Sequence, residues 1–388
     1  MKKNNNHLPF DDNSDRHIQE PRYTSPTRTR DSRTRNQKKK APWGLIGLSL
    51  LLIVAASFLI KSLSHPDPVE STKPQTSTSE NTGSQTQSET TGSTTATTQP
   101  PPSPTPVLLS AEARAAAIDA AGQQVLDLIK QQPASRVGVY FLNLSGMESW
   151  SYEDDVPFVA ASSIKIGFNT RLYTLIADGS ISPDEVLTYD SRPYPTGDYE
   201  AGTGTIQSLP NGSTLTVRET SGLSIRISDN CGTNMVIRRL GGIDTINPWL
   251  NGISGTIDYR QKVTYTNYAG QQQSGRHRTC ARDLGQMAVY LYEHWVEQPV
   301  VFDPLIDDLS HTEFDFGIQK GIPDQVQVAH KIGTNGIYST ENDVGIVFTE
   351  EPFVLCVMTE MADAVKAHQL QAEIASIFYN CTFGWPFE

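Results

Sequence analysis

Residues 158–168 read FVAASSIKIGF, and a single lysine stands in this otherwise apolar or small stretch, three positions after the first of two adjacent serines. On a helix, positions i and i+3 share a face, so Ser162 and Lys165 point the same way while Ser163 turns elsewhere. A hydroxyl beside an amine is a nucleophile beside a base. A helix capped by Ser162, with Lys165 reaching out to water, would produce the same letters, so the pair gains meaning only from the rest of the chain. Two further groups follow in order: Ser228-Asp229-Asn230, then Lys331-Ile332-Gly333-Thr334. Taken alone, the first of these also reads as a helix N-cap cluster ahead of CGTNMVIRRL, with Asp229 the most structural of the three.

The order and spacing of the three groups resemble the S-x-x-K, S-D-N and K-T-G set of class A β-lactamases and penicillin-binding proteins. Longer stretches resemble the corresponding class A segments as well: ESWSYEDDVPFVAASSIKI, the run from GTGTIQS to SDNCGTNMVIRRLGG, RTCARDLGQMAVYLY, and VAHKIGTNGIYSTENDVGIVFTEEPFVLCVMTE. The resemblance covers nearly all of 109–388. It implies an α+β fold of the class A β-lactamase type, in which N- and C-terminal strands form one antiparallel sheet beside a helical subdomain.

The resemblance further implies a serine hydrolase that opens β-lactams or related amides through an acyl-enzyme on Ser162, without a cofactor. Acyl transfer requires a base within reach of the attacking hydroxyl, and Lys165 is the candidate. Lys165 can serve only if it is neutral part of the time, which burial or a nearby cation favours. By resemblance, Ser228 relays a proton to the leaving nitrogen and Asn230 bonds the substrate's side-chain amide. Lys331, with Gly333 and Thr334, receives the substrate carboxylate, and the backbone N–H groups of Ser162 and Thr334 form the oxyanion hole. The same ligands, β-lactams or the D-alanyl peptides they mimic, also suit a penicillin-binding D,D-peptidase or a wall-binding receptor that does not turn over.

Two departures bear on mechanism. Ile332 stands where the family carries threonine, which removes a hydroxyl from the carboxylate subsite. Class A enzymes release the acyl group through a loop glutamate, and residues 231–280 contain no glutamate. Matching Asn267 to the asparagine of the family's E-x-x-x-N pattern puts Val263 in the glutamate's place; the interval's acids, Asp244 and Asp258, come too early. Slow deacylation is the expectation. The Gly-x-Gly of AGTGTIQS has neither a third glycine nor a βαβ context, so it reads as a turn, and Tyr259 and Tyr265 read as loop packing.

Elements that position these residues are legible in outline. AEARAAAIDAAGQQVLDLIKQQ (111–132) is an Ala-rich helix and RVGVYFLNL (136–144) a strand. ESWSYEDDVPFVAA reads as a second strand running directly into the Ser162 segment. Helices are expected around 163–177, 215–227, 231–240 and 281–294, then paired strands at GIVFTE and FVLCVMTEM and a last helix in ADAVKAHQLQAEIASIFYN. Strands at both ends with helices between them place the terminal strands in one sheet.

The remaining features concern location. Of 388 residues, 37% are hydrophobic and 19% charged. Residues 1–40 carry 11 Lys and Arg against 5 Asp and Glu with few aliphatic residues, which reads as a disordered tail. The segment 41–63 contains an uncharged apolar run, Trp43 to Ile60, about 27 Å long as a helix and sufficient to span a lipid bilayer. Its basic flank predicts a cytoplasmic N-terminus and a single-pass signal anchor, with everything beyond it extracellular; a cleaved signal peptide is the rival reading, against which stand the long polar leader and the lack of a small-x-small site after Ile60. Residues 64–108, dense in Ser, Thr, Gln and Pro, read as a stalk, and 109–388 as the hydrolase domain.

That domain holds 18 Lys and Arg against 34 Asp and Glu, the wrong sign for a nucleic-acid partner. No HExxH or CxxC spacing indicates a metal, and a monomer is expected. Cys231, Cys280, Cys356 and Cys381 all fall in the exported part, and pairings 231–280 and 356–381 are conceivable disulfides.

Overall fold

The structure, a computed structural model, describes residues 110–382. The tail, the apolar run at Trp43–Ile60 and the whole stalk lie outside the described residues, among which no helix is long and apolar enough to cross a membrane.

The architecture is a five-stranded antiparallel sheet with helices on both faces. Helix α1 (Ala111–Lys130) starts where the Ser110 hydroxyl accepts from the Ala113 N–H, and leads to β1 (Ser135–Asn143) and β2 (Ser149–Tyr152). The chain closes with β9 (Gln327–Asn335), β10 (Thr340–Phe348), β11 (Phe353–Met361) and α8 (Ala364–Cys381). The strand order is β2-β1-β11-β10-β9, so terminal strands do share one sheet and β9 forms an edge. β1 meets β11 with Val139 opposite Val357.

Strand alternation divides the core in two. Val139 and Phe141 of β1 join Phe353, Leu355 and Val357 of β11 beneath α1 and α8, where Phe141 stacks on Phe378 at 4.3 Å. Tyr140, Leu142, Val354, Cys356 and Met358 face the other way, toward the helical subdomain. Covering on both faces explains why FVLCVMTEM reads as an unbroken apolar run although its sheet is antiparallel. Replacing Phe141 by alanine would cost about 3–5 kcal/mol.

The subdomain between the terminal strands begins with β3 (Phe158–Val159), a 3₁₀ turn at Ala161–Ile164 and α2 (Lys165–Ala177). After the small β4–β5 ladder (Val186–Thr188, Thr214–Thr216) come α3 (Val217–Arg226) and α4 (Asn230–Arg239). A capping box between Thr216 and Glu219 starts α3, and Asp229 starts α4 by accepting from the Gly232 N–H at 2.9 Å. Then follow α5 (Ile243–Ile253), the β6–β7 hairpin (Val263–Thr266, Gln272–Gly275), β8 (Arg278–Thr279), α6 (Ala281–Glu297) and α7 (Pro299–Ser310).

Three expectations need correction. The stretch from Glu148 to Ala161 is not one strand feeding the nucleophile: after β2 the chain turns at Glu153 (φ 45°), where Asp154 binds Arg282 at 2.8 Å, before the two-residue β3. The disulfides do not form, and all four cysteines are buried free thiols. Cys356 belongs to the core on one face of the sheet and Cys381 to the core on the other, so the sheet itself separates them. Cys231 instead receives the Glu200 N–H at 3.4 Å and lies beside the Tyr189 hydroxyl.

The third correction concerns the loop register. Val263 opens β6 opposite Gly275, and Asn267 shapes the hairpin turn, its Oδ1 accepting from the Gln271 N–H at 2.8 Å. This segment is a β-hairpin, so the E-x-x-x-N register does not apply to it.

Candidate active site

Ser162 lies in the 3₁₀ turn that enters α2, half-buried, while Ser163 is fully buried and spends its hydroxyl on the Ala160 carbonyl at 2.6 Å. The two adjacent serines are thus distinguished by environment as well as by spacing. The residue before the pair, Ala161, has φ 47°, a left-handed conformation that a side-chain-bearing residue adopts at a cost of about 1–3 kcal/mol and that the surroundings must impose. They do so from β10 and β9. Asn342 Nδ2 donates to the carbonyls of Val159 (2.9 Å) and Ala160 (3.2 Å). Gly333 packs so close to the turn that a Cβ there would stand 2.8 Å from the Ala160 oxygen and 2.9 Å from the Ser163 Cβ. Glycine at that place in Lys331-Ile332-Gly333-Thr334 is therefore a steric requirement of edge strand against nucleophile turn. Thr334 follows on the exposed side of the edge.

Lys165 is 5% exposed, and its ammonium donates to the Ser228 carbonyl (2.7 Å), the Ser228 Oγ (3.2 Å) and Asn230 Oδ1 (2.9 Å). The Ser162 hydroxyl is not among its partners. Lys331 is fully buried on β9 and donates to the same Ser228 Oγ at 3.2 Å and to the Ile332 carbonyl at 2.9 Å. One hydroxyl thus lies between two amines, and three separate motifs meet at it.

Burial pulls Lys165 down to about 8 against the opposing pull of Glu200 and then Asp229. Lys331 is held well below its ordinary value by burial and by the Lys165 charge, with Asp343 opposing. Water cannot solvate two ammonium groups here, and two positive charges sharing one hydroxyl repel, so both amines give up their protons more readily than an exposed lysine. At pH 7, about a tenth of Lys165 is then neutral.

Ser228 itself has φ 54°, and its carbonyl also accepts from the Thr203 hydroxyl at 2.6 Å. Asp229 is structural: besides capping α4 it accepts at Oδ2 from the N–H groups of Thr205 (2.6 Å) and Ile206 (2.9 Å). Those contacts explain the Gly-x-Gly. Gly204 (φ 106°) passes so close to Asp229 that a Cβ would overlap it, and a Cβ on Gly202 (φ 139°) would lie 2.7 Å from Asn230 Nδ2. The glycines let a loop cross over Ser228-Asp229-Asn230.

Sequence reading missed several positioning residues. Asn169 joins the Lys165 carbonyl (2.9 Å) to Ser224 (3.2 Å) and accepts from Ser221 (2.8 Å), binding α2 to α3 under the site. Asn342 and Thr203 hold the nucleophile turn and Ser228 as described above. Each is a single polar residue whose bond across the site reaches a segment far away in sequence, so no local pattern marks it.

The loop side is different. Asp258 caps a turn, accepting from the Arg260 N–H and Asn247 Nδ2 (both 2.8 Å), and Asp244 pairs with Arg260 at 2.6 Å. Neither carboxylate acts on Lys165; those that do are Glu200 and Asp229. Tyr259 stacks on His277 at 5.0 Å and meets Phe168 edge-on at 6.0 Å, and burial pushes its hydroxyl up, away from any role as a base. Tyr265 packs against the Arg136 guanidinium, 4.5 Å from its ring centroid. Among the described residues, no group of three or more His, Cys, Asp or Glu is arranged to hold a metal ion.

Comparison with known proteins agrees with this construction. The β-lactamase enzyme family model matches residues 120–382. The β-lactamase VEB-1 of Pseudomonas aeruginosa is 22% identical over 262 residues, covering 65% of this chain and 85% of its own. A β-lactamase of Streptomyces albus G is 25% identical over 261 residues, covering 64% and 81%. Among solved structures, a mutant PBP-A in an acyl-enzyme complex with penicillin G superposes with a TM-score of 0.57 at 25% identity, over 68% of this chain and 96% of that one. An ancestral class A β-lactamase gives 0.56 at 22%, over 67% and 99%. A serine–lysine turn clamped by the sheet edge, with a second lysine sharing the serine of Ser228-Asp229-Asn230, therefore belongs to a β-lactamase-like hydrolase, and the chain is a member of the β-lactamase enzyme family.

Proposed function

We propose that the domain is the extracellular part of a membrane-anchored protein and opens β-lactams or related amides by acylating Ser162, with slow release of the acyl group. The observation that carries this reading is the convergence of Lys165 and Lys331 on the Ser228 hydroxyl behind the Ser162 turn, with Lys165 brought to about 8. Neutral Lys165 takes the proton of Ser162 as its oxygen attacks the carbonyl carbon. The backbone N–H groups of Ser162 and Thr334 receive the oxyanion, and Ser228 passes a proton to the leaving nitrogen as the C–N bond breaks. Lys331 attracts the substrate carboxylate and Asn230 bonds its amide. With Ile332 in place of a hydroxyl, the carboxylate is held by fewer donors. The basic flank and apolar run at 43–60 support the anchor.

A second reading, a D,D-peptidase acting on D-alanyl wall peptides, is favoured by one observation: the loop after α5 forms a hairpin and places no carboxylate of its own against Lys165. A receptor that is acylated and not released is its limiting case. The test incubates the full-length chain with benzylpenicillin and a chromogenic cephalosporin and records adduct mass and product together. A persistent adduct on Ser162 with slow product supports the proposal. Rapid product without adduct removes slow release, and no adduct with no product removes acylation of β-lactams altogether.

A further inference from the structure

At the mouth of the cleft on the loop side lies a cluster of titratable groups that acylation leaves unused. β3 and β8 pair Phe158 with Thr279 and Val159 with Arg278, and the next rung joins the Ala160 N–H to the His277 carbonyl at 3.2 Å. His277 therefore stands opposite a residue two positions before the nucleophile. Its own N–H donates to the Tyr259 carbonyl at 2.9 Å, and its φ is 61°. That left-handed conformation costs energy in a residue with a Cβ and persists here because both sides clamp it. The ring stacks on Tyr259, whose own ring meets Phe168, three residues after Lys165 on α2. The imidazole is thus fixed beside the nucleophile turn while remaining accessible to solvent.

Glu200 acts on it through its charge. Its backbone is pinned at Cys231, and its carboxylate accepts from Asn234 Nδ2 at 3.0 Å, one helical turn beyond Asn230. Five groups respond to the Glu200 charge: Lys165, Tyr194, Cys231, Tyr259 and His277. The charged groups acting on His277 are Arg260 from the loop, Arg278 on β8, Arg276 beside it, and Glu200 from the segment ahead of α3. Burial and then the three arginines hold the imidazole below its ordinary value while Glu200 pulls the other way, so at neutral pH it is a free base.

We propose that His277 is the general base that releases the acyl group from Ser162. This rests on the acyl-enzyme reading above. In the step, an imidazole nitrogen takes a proton from water as the water oxygen bonds to the acyl carbonyl carbon. As the tetrahedral intermediate collapses, the bond from that carbon to Ser162 Oγ breaks and Oγ receives the proton back. The acyl group leaves as a carboxylic acid, with no other reactant consumed.

The test follows loss of the benzylpenicillin adduct by mass, from pH 5 to 8, in the full-length wild type, His277→Gln and Glu200→Gln after excess penicillin is removed. In the wild type, release falls about tenfold per pH unit below the His277 inflection. His277→Gln forms the adduct but releases it about 10²-fold more slowly at pH 7, with a flat profile. Glu200→Gln moves the inflection to lower pH, because the carboxylate that favours the imidazolium is gone. Release in His277→Gln at the wild-type rate, or with the wild-type inflection, overturns the assignment. If His277→Gln does not fold, an unmoved inflection in Glu200→Gln overturns it. A wild type that forms no adduct removes the acyl-enzyme reading, and this inference with it, a result distinct from either variant outcome.

Discussion

The two walls of the cleft are built differently. On the wall formed by α2, the α3–α4 junction and β9, Lys165, Ser228 and Lys331 are at most 5% exposed, and each polar atom of the set answers to a residue far away in sequence. On the wall formed by the 254–279 loop, the hairpin carries exposed Thr264, Thr266 and Gln272, and the loop's one acid, Asp258, serves a turn. Burial is what separates them. A buried amine changes its proton affinity and can act as a base, whereas an exposed carboxylate held by a turn remains an ordinary anion. The contrast is the ground for proposing acylation from the buried wall and a different arrangement for release on the other.

The largest expected effect breaks the buried wall outright. Ser162→Ala abolishes the penicillin adduct, whereas Ser163→Ala retains it and loses about 1 kcal/mol of stability with the Ala160 hydrogen bond, as mass spectrometry and thermal melts of both variants would register. An adduct on Ser162→Ala would exchange the roles of the two serines.

Next is Lys165→Met, expected to slow acylation by about 10²–10⁴. In the wild type the acylation rate should rise with pH and level off near 8, because the active form is the neutral amine and its fraction grows until pH passes the depressed value. A stopped-flow pH profile that is flat from 6 to 9 would assign the base elsewhere.

Gly333→Ala should slow acylation and cost about 1–3 kcal/mol, since the added methyl forces β9 away from the nucleophile turn. Wild-type melting and acylation in this variant would mean that the close approach of edge strand and turn is dispensable.

The smallest effect sharpens the contrast from the loop wall. Val263→Glu should leave adduct lifetime within about twofold and stability within about 0.5 kcal/mol, because position 263 opens a hairpin opposite Gly275. A large acceleration of release would show that the hairpin reaches the acyl group.

How much was legible follows the same division. Strands β1, β10 and β11 were readable because their apolar runs are long, and the Ser162–Lys165 pair because helical spacing is local, whereas edge strand β9 was passed over because His330 and Lys331 interrupt its apolar run. Helices α5 and α7 were passed over because each carries a proline inside it, Pro248 and Pro304, a residue that ordinarily ends a helix. The register of the loop was misread because Asn267 is as natural in a hairpin turn as in the family's loop pattern. Disulfide pairing failed because sequence counts cysteines without saying which side of a sheet each one faces.

By itself the sequence determined which chemical groups are present, their order, the alternation that buries both faces of the sheet, and the lack of a glutamate in 231–280. Tertiary structure alone decided that Lys165 and Lys331, 166 positions apart, share one hydroxyl, that Gly333 must lack a side chain, and that His277 pairs with the strand that leads into the nucleophile turn. The reason is physical: proton affinity depends on water excluded and charges brought near, and both are set by segments that meet only when the chain has folded.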